Sequence, residues 1–425
     1  MKRLRILLLA QQNNPDWISV PLVGYQHSEA LSHIHDVTLV THFANEAAIL
    51  RKNQPFKEVF PINLGIWETF YNWCFAKVFK GDHGSQILTA FRVPFYLAFE
   101  RRAFAHYKEA LKNKKFDLVL RVTPVAPVIP SLFAGRCKKL GIPFVIGPIN
   151  GGLPWPTHYS QAVRQKEWIS NLRFFYRYLP YARSTYRDSS AIIAGSSETY
   201  HEYDALEERL YFLPENGIRE ETVVAKKPRE KGARLKLLFV GRLIPSKACD
   251  LAIKAAAGLV REGLCEFTIV GDGGERQALE ELSTSLGIKI TFTGMIPHAE
   301  AMEYFRAADV LVFPSIREFG GGVVFEALAL GCVPIVSNYG GPGDIVVNGK
   351  SGFSVDLKNE EYTTQELQKI LSKLAADPDL VETMSKEGQR YAREELSWRG
   401  KAEKMTQIFE SCLGLAKRPS FLPPR

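Results

Sequence analysis

Cysteine is scarce in this chain: six in 425 residues, with no C-x-x-C pair. Cys74, Cys137, Cys249, Cys265, Cys332 and Cys412 are scattered, which argues against a zinc site or a disulfide framework and suits a reducing cytoplasm. Long apolar runs are missing too. A membrane span needs roughly 18 consecutive apolar residues, and nothing here approaches that. The N-terminal MKRLRILLLAQQ imitates a secretory leader, but its apolar run is only Ile6 to Ala10 and no small-residue cleavage site follows. It reads as a first buried β-strand, and the protein as soluble or peripheral. That strand runs into Gln11-Gln-Asn-Asn-Pro15 with no glycine fingerprint, which argues against a dehydrogenase. No low-complexity tract and no nucleic-acid motif is present.

What remains is an ordinary globular composition, 46% hydrophobic and 24% charged, in a chain long enough for two or three domains. Charge is unevenly placed. Residues 1–190 hold 25 Lys and Arg against 12 Asp and Glu, whereas the remainder holds 29 against 34. A basic first half suggests an anionic partner. Short apolar runs recur between helical stretches: Arg5–Ala10, Val37–His42, Asp117–Val122, Pro143–Gly147, Ala191–Gly195 and Tyr211–Leu213, then Lys236–Gly241, Glu266–Gly271, Lys289–Gly294, Val310–Pro314 and Val333–Ser337. Continuous rather than alternating runs indicate strands buried on both faces, as in parallel sheets covered by helices. The expected class is α/β, with two Rossmann-like, doubly wound parallel-sheet domains at 1–219 and 235–396. A charged linker at 220–234 joins them and a helical segment at 397–425 follows. Ligands of such sheets bind at the carboxyl ends of the strands.

The candidate chemistry falls at those ends. Phe239-Val-Gly-Arg-Leu-Ile-Pro-Ser-Lys247 places Arg242 and Lys247 around a turn after a strand, two cations suited to a diphosphate; a solvated basic turn is the competing reading. The strongest motif is Phe313-Pro-Ser-Ile-Arg-Glu318-Phe-Gly320-Gly321-Gly322-Val-Val-Phe-Glu326. Its three glycines let backbone approach a ligand and open a helix whose free N–H groups attract anions. Glu318 before the glycines and Glu326 within the helix suit two hydroxyl clusters; the plainer reading has them as a dipole partner and a salt-bridge member. Gly340-Gly341-Pro342-Gly343-Asp344 is a further glycine-dense turn after a strand, and Gly271-Asp-Gly-Gly-Glu-Arg276 reads as a strand-to-helix turn. In the first half, Gly147-Pro-Ile-Asn150-Gly151-Gly152 is a rigid loop that suits a sugar-facing wall or a structural turn equally.

Together these residues resemble the retaining nucleotide-sugar glycosyltransferases of family 4, the group 1 glycosyl transferases of GT-B fold. The resemblance covers most of the chain and is tight over about residues 235–355, on Gly241-Arg242-Leu243, Lys247, Glu318 and Glu326. It implies two domains facing across a cleft and a metal-independent hexosyl transfer from a UDP- or GDP-sugar, which is a substrate; no cofactor is expected. It implies that Arg242 and Lys247 hold the donor diphosphate, that Glu318 meets the transferred sugar and Glu326 the ribose, and that backbone at Met295-Ile296 faces the base. Gly320, Gly321, Gly322, Gly341 and Asp344 complete the expected donor site. The Trp398 region resembles the segment that returns the last helix to the first domain. Relatives carry a histidine at the end of the strand matching Phe116–Val122; here Leu120 or a neighbour stands there, and Thr123 or Asn150, with Gly151, is the expected sugar-side substitute. Relatives also have a glutamate where Asp344 stands and a glycine where Ala248 follows Lys247.

The expected acceptor is a glycan or a lipid-linked species in polysaccharide or glycoconjugate synthesis. A GT-B epimerase or phosphorylase and a non-catalytic sugar-nucleotide-binding scaffold are the alternatives. Phe91–Lys112 and Trp168–Arg187 interleave aromatics with cations, among them Arg101, Arg102, Arg173 and Arg177. Such stretches suit an anionic membrane surface, or helices that pack aromatics inward and leave a solvated basic face.

Overall fold

The computed structural model describes residues 2–65, 86–156, 178–226, 229–230 and 232–423, with the side chains of 86–91 excepted. Trp168–Arg177 of the second basic stretch, including Arg173 and Arg177, therefore lies outside the described residues. The first sheet comprises β1 (Arg5–Ala10), β2 (Asp36–His42), β3 (Glu58–Ile62), β4 (Leu118–Thr123), β5 (Phe144–Ile149), β6 (Ala191–Ala194) and β7 (Leu210–Phe212). The second comprises β8 (Leu235–Val240), β9 (Cys265–Val270), β10 (Thr291–Gly294), β11 (Val310–Phe313), β12 (Val333–Ser337) and β13 (Phe353–Val355). Their orders are β3-β2-β1-β4-β5-β6-β7 and β10-β9-β8-β11-β12-β13. Every pairing between these strands is parallel. Strand order reverses between β1 and β4 and again between β8 and β11, so each sheet has a switch point at which loops diverge and leave a crevice.

The central strands are as the apolar runs predict: β4, β5, β6, β11 and β12 are buried along their whole length. Two strands lack such a run. β3 carries Pro61 and is half-buried, and β13 has three residues; both lie at sheet edges, where one side needs no partner.

Helices cover both sheets. Those used below are α1 (Val20–Ile34), α2 (Gln86–Lys112), α3 (Cys249–Arg261), α4 (His298–Ala307), α5 (Gly322–Ala329), α6 (Gly341–Ile345) and α7 (Trp398–Cys412). Helix α2 decides one question from the sequence. Its Phe95, Tyr96, Phe99 and Tyr107 are buried in the first domain's core beside Val119 and Ile146, while Arg101, Arg102 and Lys108 are exposed. The described aromatics of that stretch pack in or against the core, and its basic face is what meets solvent. Among the described residues no helix is long and apolar enough to cross a membrane.

Helix α7 belongs to the first sheet by packing: Ala402, Met405, Ile408 and Phe409 join the cluster of Ile6, Leu8 and Leu120, and His35 bonds Thr406 Oγ1 at 2.8 Å. The chain thus crosses between the sheets twice, and the crossings run side by side. Ile218 N–H donates to Leu396 O and Trp398 N–H to Ile218 O, at 3.0 and 2.9 Å.

The charged stretch before β8 is less solvated than its composition suggests. Lys226 donates to the Ala308 carbonyl, and Lys226 and Arg229 lie 3.9 and 4.0 Å from the buried Asp309 carboxylate, which also accepts from Lys236 N–H at 3.0 Å. Removing one member of a buried charge set typically costs about 3–5 kcal/mol. Asp309→Ala is therefore expected to lower stability by about that amount in urea denaturation. Arg399→Ala, which breaks an exposed pair with Glu403, should cost under about 1 kcal/mol.

Candidate functional site

Three loops leave the carboxyl ends of β8, β11 and β12 and are tied together by backbone. The turn after β8 runs from Gly241 through a 3-10 turn at Pro245–Lys247 into α3. It lies so close to the turn after β9 that a Cβ on Gly271 (φ +136) would stand 1.9 Å from the Gly241 carbonyl oxygen. The loop after β11 docks on the same turn: Ile316 N–H and Ser315 Oγ both donate to Ser246 O at 3.0 Å. Gly341 N–H in turn donates to Glu318 O at 3.2 Å, joining the loop after β12 to the glycine run.

Inside this frame Lys247 and Glu318 form an ion pair, their side chains 13% and 21% exposed, with Lys247 Nζ 5.2 Å from the centre of the Phe313 ring. Burial, and then the neighbouring exposed Arg242, push the Lys247 ammonium down to about 8. Glu318 also accepts from Gly321 N–H at 3.4 Å. Gly321 (φ +57) starts α5; Gly322 is exposed, and a Cβ there would meet nothing within 4 Å. Glu326 lies on α5 away from that pair, its Oε1 2.8 Å from His298 Nε2 at the start of α4. That hydrogen bond raises the imidazole pKa. Ile296 is half-buried against the second core and Met295 beside it is exposed.

Several residues expected at a ligand make close protein contacts, and Asn150, Asp344 and Gly320 make theirs across the two domains. Asn150 is buried; its Nδ2 donates to Phe319 O at 3.0 Å and its Oδ1 accepts from Ser196 Oγ at 3.0 Å. Asp344 is buried on α6 and accepts from Ser197 N–H at 2.7 Å; burial pushes its carboxyl up to about 7. Gly341 is buried where a Cβ would meet Phe319 O at 2.0 Å, and at half-buried Gly320 one would meet Glu215 Oε1 at 2.3 Å. Gly151 O accepts from Thr199 Oγ1 at 3.3 Å. Thr123 is buried at the first sheet's switch point, donating to Gln12 O at 2.9 Å and accepting from Gln12 N–H at 3.1 Å. Thus Arg242, Lys247 and Glu318 come together at one switch point. Glu326 and His298 flank them, Asn150, Gly320 and Asp344 seal the domain contact, and Gly341 packs on Phe319 within the second domain.

Sequence reasoning passed over His298, Ser197, Glu198, Glu215, Asn216 and Arg317. Glu198 accepts from Gly340 N–H at 2.8 Å, Asn216 Nδ2 donates to Gly320 O at 2.9 Å and Arg317 Nε donates to Leu153 O at 3.1 Å, all across the domain contact. Such pairs are far apart in sequence and leave no spacing signal. The Glu215-Asn216-Gly217 turn just after β7 is the one local cue. One Asp-x-Asp spacing, Asp377-Pro-Asp379, is present, and Asp377 is spent capping a helix by accepting from Leu380 N–H at 2.9 Å.

The chain superposes over nearly its whole length on several solved structures. The Anabaena HepE protein in complex with UDP has a TM-score of 0.63 at 18% identity, covering 96% of this chain and 100% of that one. A sucrose-phosphate synthase from Thermosynechococcus elongatus has 0.63 at 17%, covering 97% and 100%. The fold is GT-B. Within it, residues 221–391 match the family model described as "Glycosyl transferases group 1". A D-inositol 3-phosphate glycosyltransferase of Rhodococcus jostii is 34% identical over 181 residues, 40% of this chain and 39% of that protein. The match thus spans well under half of that relative's length, and the group 1 similarity sits on the half that carries Arg242, Lys247, Glu318 and Glu326.

The Asp344 environment has a pH consequence. Its folded pKa, about 7, lies above the ordinary carboxyl value of 3.8. Its protonated form therefore stabilises the fold below about pH 4, and that contribution is lost as pH rises through 7. We expect stability to fall over this window. Asp344→Asn, which cannot ionise, should recover on the order of 4 kcal/mol at most near pH 8. Urea midpoints of both proteins from pH 4 to pH 8 check this; parallel profiles would contradict it.

Proposed function

We propose that the chain is a retaining, metal-independent hexosyltransferase that uses a nucleoside-diphosphate sugar, UDP- or GDP-linked, and delivers the sugar to a glycan or lipid-linked acceptor. The observation that carries this reading is the Lys247–Glu318 pair with Arg242 beside it, set at the second sheet's switch point, next to glycine turns and facing the loop at Asn150–Trp155. The group 1 match over the same half and the UDP-bound HepE neighbour support it.

On this reading the diphosphate takes the Lys247 ammonium from Glu318, and Arg242 holds its other oxygens. As the bond from the anomeric carbon to the β-phosphate oxygen breaks, negative charge grows on that phosphate, and the two cations stabilise it without a metal. Glu318, released from the ion pair, accepts a hydroxyl of the transferred sugar. The acceptor oxygen bonds the anomeric carbon on the face the phosphate leaves, and its proton passes to the leaving phosphate oxygen, so configuration is kept. Glu326 takes the ribose hydroxyls, and backbone at Met295-Ile296 lines the base.

Lys247→Ala and Arg242→Ala are each expected to lower turnover about 10²–10³-fold in a product assay with the fold intact. Glu326→Ala should weaken UDP or GDP binding by roughly 1.5–3 kcal/mol in calorimetry, whereas Glu318→Ala should spare it and damage turnover. EDTA should leave activity unchanged. Binding without turnover for any acceptor would favour a scaffold, and consumption of donor without an acceptor an epimerase.

We further propose a cytoplasmic protein that rests peripherally on anionic membrane through the basic face of α2. Arg101 is exposed there and Arg102 donates to the Asn63 carbonyl. Each cation near an anionic bilayer contributes on the order of 1 kcal/mol, screened by salt. Co-sedimentation with anionic vesicles should exceed that with neutral ones and fall as salt rises, and Arg101→Glu should reduce it.

A further inference from the structure

The contact between His298 and Glu326 is left unexplained by the transfer chemistry. It joins the first turn of α4 to the second turn of α5, across the edge of the site where the donor's nucleoside is proposed to lie. His298 is well exposed, its side chain at 74%, yet its ring is fixed by a 2.8 Å bond to Glu326 Oε1. Glu326 Oε2 keeps no partner among the described residues. Met295 and Ile296, two and three residues before His298, form the lip of the same loop, Met295 exposed and Ile296 half-buried.

A glutamate on an open helix face is mobile, and ordering it for a ligand costs rotamer entropy. A second side chain that holds one oxygen removes that cost before the ligand arrives and leaves the other oxygen aimed outward as an acceptor. His298 has this geometry. Its hydrogen bond to a carboxylate favours the imidazolium, in which both ring nitrogens donate. Nε2 then holds Glu326, and Nδ1 remains a donor at the lip where the nucleoside enters.

We infer that His298 is a positioning residue for the nucleoside half of the donor: it holds the Glu326 carboxylate ready for the ribose hydroxyls and so sets the discrimination between ribose and 2′-deoxyribose. This rests on the donor site proposed above. His298 acts on binding, which is shared by ground state and transition state, so its loss raises the donor KM and leaves kcat in place.

The test is calorimetry of the intact protein with UDP, GDP and ADP, then with the tightest of these against its 2′-deoxy form. The wild type should prefer the ribonucleotide. His298→Ala should weaken ribonucleotide binding on the order of tenfold, leave the 2′-deoxy form nearly unchanged, and so collapse the preference. His298→Gln, whose amide donates a hydrogen bond from a similar reach, should restore part of it. Glu326→Gln combined with His298→Ala should cost little more than Glu326→Gln alone, because the histidine works through the glutamate. Thermal melting confirms folding, which an exposed position tolerates. If His298→Ala weakens both nucleotides equally, or neither, or lowers kcat with KM unchanged, the inference is overturned while the donor site stands. If the wild type binds none of the three diphosphates, the donor reading falls and this inference falls with it.

Discussion

The carbonyl oxygens of Phe319 and Gly320 point out of the second domain, and two asparagine side chains of the first, Asn150 and Asn216, donate to them at 3.0 and 2.9 Å. Much of the site depends on that contact. A backbone carbonyl buried between domains needs a partner, so the glycine loop keeps this shape only while the first domain supplies the amides. The approach is close enough that a Cβ at residue 320 would displace the Glu215 carboxylate and the Asn216 amide. Glu318 lies immediately before this pair and Gly321, which starts α5, immediately after it. The domain contact therefore fixes where the Lys247–Glu318 pair and the start of α5 stand, although the pair itself bonds within the second domain.

The same contact concentrates ionisable groups where water is excluded. Glu215 is pushed up to about 7 by burial, with Asn150 bonded to it, and burial drives the Lys401 ammonium well below its ordinary value. His27 is held down to about 3 by burial and then by Lys401, so it is neutral and donates from Nε2 to Glu215 O at 2.8 Å. Lys401 reaches Pro214 O at 2.7 Å and lies 5.6 Å from the Phe325 ring on α5. These groups cluster where the chain makes its two crossings. Separating the sheets would hydrate them, which offsets part of what the apolar contacts contribute to closure. Asp344 and its raised pKa follow the same logic on the far side of the glycine loop.

This explains which parts were legible in sequence. Burial on both faces writes itself as a continuous apolar run, and the central strands were readable for that reason. β3 and β13 have a partner on one side only, so half-polar or very short segments suffice there. Arg242, Lys247, Glu318 and the glycine run sit within single strand–turn–helix units, where spacing carries information. Asn150 and Asp344 were also picked out, but what they bond to lies in the other domain, and no local pattern states that. Their chemistry is hydrogen bonding to backbone, which resembles ligand binding in sequence. His298 was invisible because a lone histidine after a proline has no motif.

At the first sheet's switch point, local alternation sets what each residue of β4 meets. Along β4, Leu120 packs with Leu8 and Ala402 on one face. Arg121 turns to the other, its guanidinium 5.4 Å from the Tyr96 ring and donating to Ile129 O at 2.7 Å. Glu100 lies nearby on α2, accepting from Tyr96, Ser131 and Leu132 N–H at 2.7, 2.6 and 2.7 Å. An arginine in the middle of a buried strand thus packs against the aromatic face of α2. Leu120 and Arg121 point to opposite faces from mid-strand, and neither reaches the carboxyl end. Thr123 does, and its hydroxyl is committed to both polar groups of the Gln12 backbone. In this chain the switch point of the first sheet is closed by backbone, and the Lys247–Glu318 pair stands at that of the second.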